Sequence, residues 1–203
     1  MWGMMERRPQ LLSRLSRCRP EHLVPGMFLE AALASVAARA PAEVLEQARR
    51  QLPEGERLVE NYRYPVAWML GILDVIGQDA EARGGSYGEA IFLTGRDAGL
   101  AYVRSTVGRM RAMVGSASGL HRSLEGIPSA ASVAVTFGEH TYRRLSPNSG
   151  ELIFKQDLIG PGWNVGMVVA STSTALALGS EGLKFETTVT DEDASSFILR
   201  LTW

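Results

Sequence analysis

The chain has 203 residues, 45% hydrophobic and 21% charged, and its 21 Lys and Arg against 22 Asp and Glu leave a formal charge of −1. Such a composition excludes repeat arrays, collagen and coiled coil, and the balanced charge gives no global field for a nucleic acid. One cysteine, Cys18, cannot form an internal disulfide, and there is no CxxC pair to hold a metal, so the chain reads as cytoplasmic.

Residues 1–20 carry Arg7, Arg8, Arg14, Arg17 and Arg19 against a single Glu6, with Leu11, Leu12 and Leu15 at helical spacing. This sets off a basic N-terminal arm over residues 1–22, either an amphipathic segment for an acidic partner or membrane surface or a frayed terminus, from a single domain over residues 23–203. The start has no apolar run with a small-residue cleavage site, so no secretory signal is expected. A helix is predicted from Pro25-Gly26, with Phe28, Leu29, Leu33 and Val36 as its apolar stripe, and a second after Pro41. Gln51 to Tyr64 reads as a polar connection. Tyr64-Pro65 then launches an apolar helix through Trp68, Met69, Ile72, Leu73 and Ile76, followed by a loop from Asp79 to Ser86. Ser86, three residues before Glu89, suits a capping box for a long helix whose stripe is Leu100, Val103, Val107, Met110 and Val114. A shorter helical piece, Ser118 to Leu124, precedes Pro128.

Beyond Pro128 the period changes to that of strands. Val133 to Phe137 is rich in β-formers, Thr141 to Leu145 extends or pairs with it, Ser146 to Gly150 is a turn, and Glu151 to Gln156 is the next strand. Gly160-Pro161-Gly162 breaks the chain before a helix from Val165 to Leu178, closed by Gly179. That run falls short of the ~20 residues of a membrane span and has Ser171 to Thr174 in its middle, so no transmembrane segment is expected. Leu183 to Thr190 alternates as a strand, Asp191 to Asp193 turns, and Ser196 to Trp203 closes the fold with Phe197, Leu199 and Leu201 on one face. The order predicts an α+β fold: N-terminal helices packed on a C-terminal antiparallel sheet of about four strands, with one inserted helix.

The chemistry-bearing residues are sparse. His22, His121 and His140 are scattered, and no nucleophile elbow, zinc helix or Walker loop is present, so neither a catalytic nor a metal site is expected. A minor enzymatic reading would need His140, Tyr142 and Glu151 to meet across strands. Gly160 to Gly166 lies between strand and helix as phosphate loops do, but its spacing departs from the dinucleotide fingerprint and suits a sharp turn, with Gly166 allowing close helix–sheet packing. Gly95 and Gly99 cost about 1 kcal/mol each against Ala inside a helix. Close approach of another backbone, or of a flat ligand, would offset that. Trp68, Phe92 and Tyr102 are helical aromatics that could wall a cavity. A lone helical His121 would be an axial haem ligand if an apolar slot opened before it.

Gly26-Met27-Phe28-Leu29-Glu30, Tyr64-Pro65, Thr94 to Tyr102, Ser105 to Arg109 and the closing Leu201-Thr202-Trp203 together resemble an uncharacterised, myxobacterial-restricted family of about 200 residues. The resemblance spans most of residues 26 to 203 and implies a fold more than an activity. More remotely, the order of elements resembles the ligand-binding superfamily of nitric-oxide-sensing haem domains, vinyl-reductase-type domains and Golgi-transport tethering subunits. In the haem branch a Leu-His step holds iron, and Leu120-His121 occupies a comparable place. That branch also uses Tyr-x-Ser-x-Arg to hold the propionates, where this chain has Phe154-Lys155-Gln156-Asp157. Cofactor identity is therefore unassigned, with haem through His121 an alternative. The resulting expectation is a non-enzymatic sensory or regulatory module that binds a small hydrophobic ligand, a protein partner, or both. Its pocket would use Trp68, Phe92, Gly95, Gly99, Tyr102 and His121. The alternative is a ligand-free, homo-oligomeric interaction protein.

Overall fold

The computed structural model describes residues 6–104, 119–175 and 182–203. Helix α1 (Arg8–Ser16) leads into a short strand β1 (Leu23–Pro25), then α2 (Gly26–Arg39) and α3 (Ala42–Arg49). Strand β2 (Arg63–Pro65) precedes α4 (Val66–Ala82), α5 (Tyr87–Arg104) and α6 (Gly119–Ala134). Strands β3 (Glu139–Ser146) and β4 (Ser149–Lys155), helix α7 (Pro161–Ala175), and strands β5 (Lys184–Val189) and β6 (Phe197–Thr202) complete the α+β fold. The sheet is antiparallel in the order β3-β4-β6-β5.

Proline sets both strand-to-helix steps at the N-terminal end. Pro25 and Pro65 lie extended, fix their own φ, and each is followed at once by a helix. Their strands pair antiparallel, Val24 opposite Tyr64, so the segment read as a polar connection ends in a strand. Gly26 is required there, because a Cβ would stand 2.3 Å from the Val59 carbonyl oxygen. The Tyr64 hydroxyl accepts from Val59 N at 3.0 Å and donates to Arg57 O at 3.2 Å, pinning the loop over the helix start.

Two apolar clusters share α5 and α7. One joins α1, α2 and α4 through Leu11, Leu29, Val36, Met69, Leu70 and Leu73. The other is the inner face of the sheet, where Leu152 and Phe154 of β4 and Phe197, Leu199 and Leu201 of β6 meet Leu120 and Leu124 of α6. α5 gives Ile91 to the first and Phe92 to the second, while α7 gives Trp163 to the first and Val165 and Val168 to the second.

Three boundaries differ from the sequence reading. α4 runs on to Ala82, which confines the loop to Arg83–Ser86; Ser86 Oγ does accept from Glu89 N at 3.3 Å. α6 continues through Pro128, which the sequence suggested as a stop, to Ala134. The stretch Val133 to Phe137 is thus the end of a helix and a loop rather than a strand. Its β-propensity is outweighed: Val135 N continues the helical ladder to Ala131 O at 2.9 Å, and Thr136 Oγ1 accepts from Leu23 N at 2.8 Å, tying the loop to β1. α7 begins at Pro161, four residues before the predicted start. The continuation of the α5 stripe to Val114, and Leu176 to Gly179, lie outside the described residues.

Candidate functional site

Phe92, Gly95, Gly99 and Tyr102 follow a 3-4-3 spacing and form one stripe of α5. The two glycines are occupied by protein: a Cβ at Gly95 would stand 2.2 Å from Trp163 O, and one at Gly99 2.5 Å from Met167 O. The contact is reciprocal. On α7, a Cβ at Gly166 would stand 2.2 Å from Phe92 O, whereas one at Gly162 would meet side chains, Glu6 Oε2 first and then Ile91 Cγ2 at 2.8 Å. Gly95 and Gly99 on α5 and Gly166 on α7 therefore bring two backbones together, which offsets their helix-propensity cost. Gly166 serves this helix–helix crossing rather than the helix–sheet packing expected of it.

At one end of the stripe Phe92 is buried and stacks on Phe185, ring centroids 5.9 Å apart; at the other Tyr102 is half-buried. Trp68 lies elsewhere, on α4, with its ring 5.8 Å from that of Tyr64. His121 is on α6 against the β3–β4 hairpin. Its Nε2 is 2.9 Å from Pro147 O, and a carbonyl can only accept, so Nε2 carries the hydrogen and Nδ1 accepts from the Tyr142 hydroxyl. Burial pushes the Tyr142 phenol up, keeping it a donor. Trp203 packs edge-on at 4.8 Å. The structure thus aligns four of the six predicted pocket residues and leaves Trp68 and His121 apart from them.

The start of α7 is a second polar centre, and composition gave little sign of it. Gly160 has φ +89, the turn conformation the glycine suits. Asp157 Oδ1 accepts from Gly160 N and Asn164 Nδ2, both at 2.9 Å, and Oδ2 lies 2.9 Å from His140 Nε2. Gly162 N donates to Glu6 Oε2 at 3.0 Å, and Glu6 pairs with Arg14, both side chains fully buried. Arg14 also donates to Leu158 O at 3.0 Å and Asp193 O at 2.6 Å. The helix terminus that could have held a phosphate is filled by the protein's own carboxylates. His140 and Tyr142 do not meet Glu151, which pairs with Arg143 and Arg200 instead. Cys18 is half-buried, its thiol pushed up to about 11 by burial.

Residues 17–203 match the model of a family described as Protein of unknown function (DUF2378). The chain belongs to that family. This DUF2378 member shares its fold with H-NOX proteins. One from K. algicida, solved as Fe(II) unliganded, is 12% identical with a TM-score of 0.67, covering 88% of this chain and 95% of that one. One from S. oneidensis in the Fe(II)NO state is 12% identical with a TM-score of 0.63, covering 87% and 97%. A structure from work on heme redox potential and porphyrin distortion is also 12% identical, with a TM-score of 0.63, covering 88% and 99%. No curated protein sequence matches the chain. The sequence-based resemblance to an uncharacterised family therefore holds, and the likeness to haem-sensing domains holds at the level of the fold.

The described residues of this DUF2378 member do not fit a haem at the place the sequence suggested. Both ring nitrogens of His121 are bonded to protein. The Gly95–Gly99 face, open to a flat ligand in sequence, is filled by the backbone of Trp163 and Met167. Where the haem branch would place serine and arginine, this chain has an exposed Gln156 and a buried, apolar Leu158. Among the described residues no helix is long and apolar enough to cross a membrane, and no group of three His, Cys, Asp or Glu could hold a metal ion.

Proposed function

We propose that this chain is a non-enzymatic sensory or regulatory module of H-NOX fold that takes a small apolar ligand in the groove between α2 and α5. The observation that carries this reading is the groove itself, about 280 Å³, lined by Met27, Phe28, Ala31, Ala34, Ala98 and Ala101, with Glu30 and Glu60 also on its wall. Alanine on both helices leaves a slot for apolar surface, at the small end of the range for ligand sites. A larger groove of about 750 Å³ beside α3 mixes Leu33, Leu52 and Leu58 with the charged Glu46, Arg49, Arg50, Glu54 and Glu56.

The groove is coupled to the helix crossing. Phe28 forms part of its lining and packs on Trp163 with ring centroids 5.9 Å apart, and Ala98 lies between Gly95 and Gly99 in sequence. A ligand that displaced Phe28 would press on the first turn of α7, where the Glu6 and Asp157 carboxylates gather. Binding would thereby bias the position of α7, which underlies the sheet.

Titration with N-phenyl-1-naphthylamine, a neutral apolar fluorophore, tests the reading. Saturable enhancement is expected in the wild type and in His121→Ala, with loss in Ala34→Trp, which fills the groove from an exposed position. Equal enhancement in Ala34→Trp would place the dye elsewhere and overturn the proposal. With haemin, the Soret band is expected at the same wavelength in wild type and His121→Ala. A His121-dependent shift would restore the haem alternative.

A further inference from the structure

The outer face of the sheet has a pattern that the ligand reading leaves unused. Strand register places Arg143, Glu151, Arg200 and Glu186 in one row straight across β3, β4, β6 and β5. The next row on the same face is Thr141, Ile153, Ile198 and Thr188. Both isoleucines are half-buried, whereas both threonines, Arg143, Arg200 and Glu186 are exposed.

Each row has its own symmetry. Reading Thr-Ile-Ile-Thr backwards returns the same row, and reading Arg-Glu-Arg-Glu backwards inverts every charge. A two-fold axis along the strands, midway between β4 and β6, exchanges β3 with β5 and β4 with β6 while keeping each row at its own height. It therefore sets Arg143 against Glu186 of a second copy and Ile153 against its Ile198, while Glu151 stays beneath its own Arg143 and Arg200. We infer that this face docks a second copy of the same chain about that axis. Cross-strand ion pairing within one sheet explains alternating charge. It does not require the neighbouring row to be a palindrome centred on the same two strands.

Packed sheets cross at about 30°, so each would tilt about 15° from the axis. The outer strands lie roughly 7 Å from the axis at ~4.8 Å spacing. The outer pairs then slip by about 4 Å, within reach of Arg and Glu side chains. Four strands of about six residues offer on the order of 400 Å² per copy, half the ~800 Å² of a standard partner surface. The association is accordingly reversible and rises with concentration.

Charge reversal at the two ends of the row provides the test, read by sedimentation velocity. Arg143→Glu sets glutamate against glutamate twice in its own dimer, and Glu186→Arg sets arginine against arginine twice. Each variant alone is expected to associate at least ~10-fold more weakly than wild type. An equimolar mixture pairs every reversed residue with its opposite and is expected to dimerise far more than either variant alone, approaching the wild-type dimer fraction at saturating concentration. Ile198→Lys, which places charge at the centre, is expected to remain monomeric with an unchanged far-UV spectrum. A monomeric wild type at several hundred micromolar, single variants that dimerise like wild type, or a mixture that stays monomeric would each overturn the inference. Dimers insensitive to all three substitutions would assign association to another surface, such as the β3 or β5 edge.

Discussion

Two buried glutamates respond to their surroundings in opposite directions. Glu6 sits inside the protein, bonded to Gly162 N and Arg14, and burial pushes its carboxyl up despite both partners. Glu151 is almost as inaccessible, its side chain 2% exposed, yet hydrogen bonds from Arg143 and Arg200 lower its carboxyl. The difference lies in what covers them. Glu6 is enclosed by protein near the Asp157 carboxylate and shares its single guanidinium with the carbonyls of Leu158, Ile159 and Asp193. Glu151 is roofed by two guanidinium groups, themselves more than half exposed, and loses little hydration. Small exposure alone does not give the direction of a shift; the material that replaces water does.

Arg14→Ala breaks this comparison most sharply. It strands a buried carboxylate and leaves three carbonyl groups short of a donor, so a loss of about 3–5 kcal/mol is expected. In a chain of this size that lowers the melting temperature by roughly 10 °C, read by circular dichroism. The double variant Glu6→Leu with Arg14→Met is expected to lose less than Arg14→Ala, because no unpaired charge remains. A double variant as damaged as the single would show that the lost packing and carbonyl bonds matter more than the stranded charge.

Gly95→Ala separates the crossing from the Glu6 contact as the means of fixing α7. The new methyl would meet backbone, the Trp163 carbonyl, which cannot swing aside, so a cost of about 1–3 kcal/mol is expected. Gly126→Ala is its control: the position is helical with open space around it, and a gain of about 0.5–1 kcal/mol in denaturant titration is expected.

These features were unequally legible in the sequence. The Gly95–Gly99 pair announced close packing by its cost, and Phe197, Leu199 and Leu201 announced the sheet's inner face by alternation; both are local signals. The partner glycine Gly166 was visible only as a packing position, since no local pattern links residues some 70 apart. Glu6 and Arg14 looked like solvated members of a basic arm. Their burial depends on Gly162 and Leu158, well over a hundred residues away, and a lone glutamate among arginines carries no mark of that. Val133 to Phe137 misled for the opposite reason: a true β-propensity was overruled by Thr136 binding β1. Tyr142 as a partner of His121 could have been suspected, because the strand that carries it follows directly on the helix that carries His121.

The pH dependence of stability sharpens the contrast. A raised carboxyl pKa in the folded state means that the native protein holds its proton more tightly than the unfolded chain. Stability then falls as pH rises from the ordinary carboxylate range through the raised value of Glu6. Comparing urea unfolding of wild type and Glu6→Gln across that window should show the fall in wild type alone.

The smallest effect, and the one of opposite sign, belongs to Glu151. Its lowered pKa means that the unfolded chain binds the proton first as pH drops. The stabilisation from its two arginines is present above the ordinary carboxylate range and is lost as pH falls through the depressed value. Because both guanidinium groups remain largely in water, the pairs count as surface interactions, and Glu151→Gln should cost only about 0.5–1 kcal/mol near neutral pH. That cost should shrink in 1 M salt, where screening is strong, and vanish in acid. The cost of Arg14→Ala should change little with salt, because no ions reach a pair enclosed by Leu158, Ile159 and Gly162. Equal salt sensitivity of the two variants would mean that water reaches Glu6 as well, and the difference between the two glutamates would then reduce to the number of arginines each one holds.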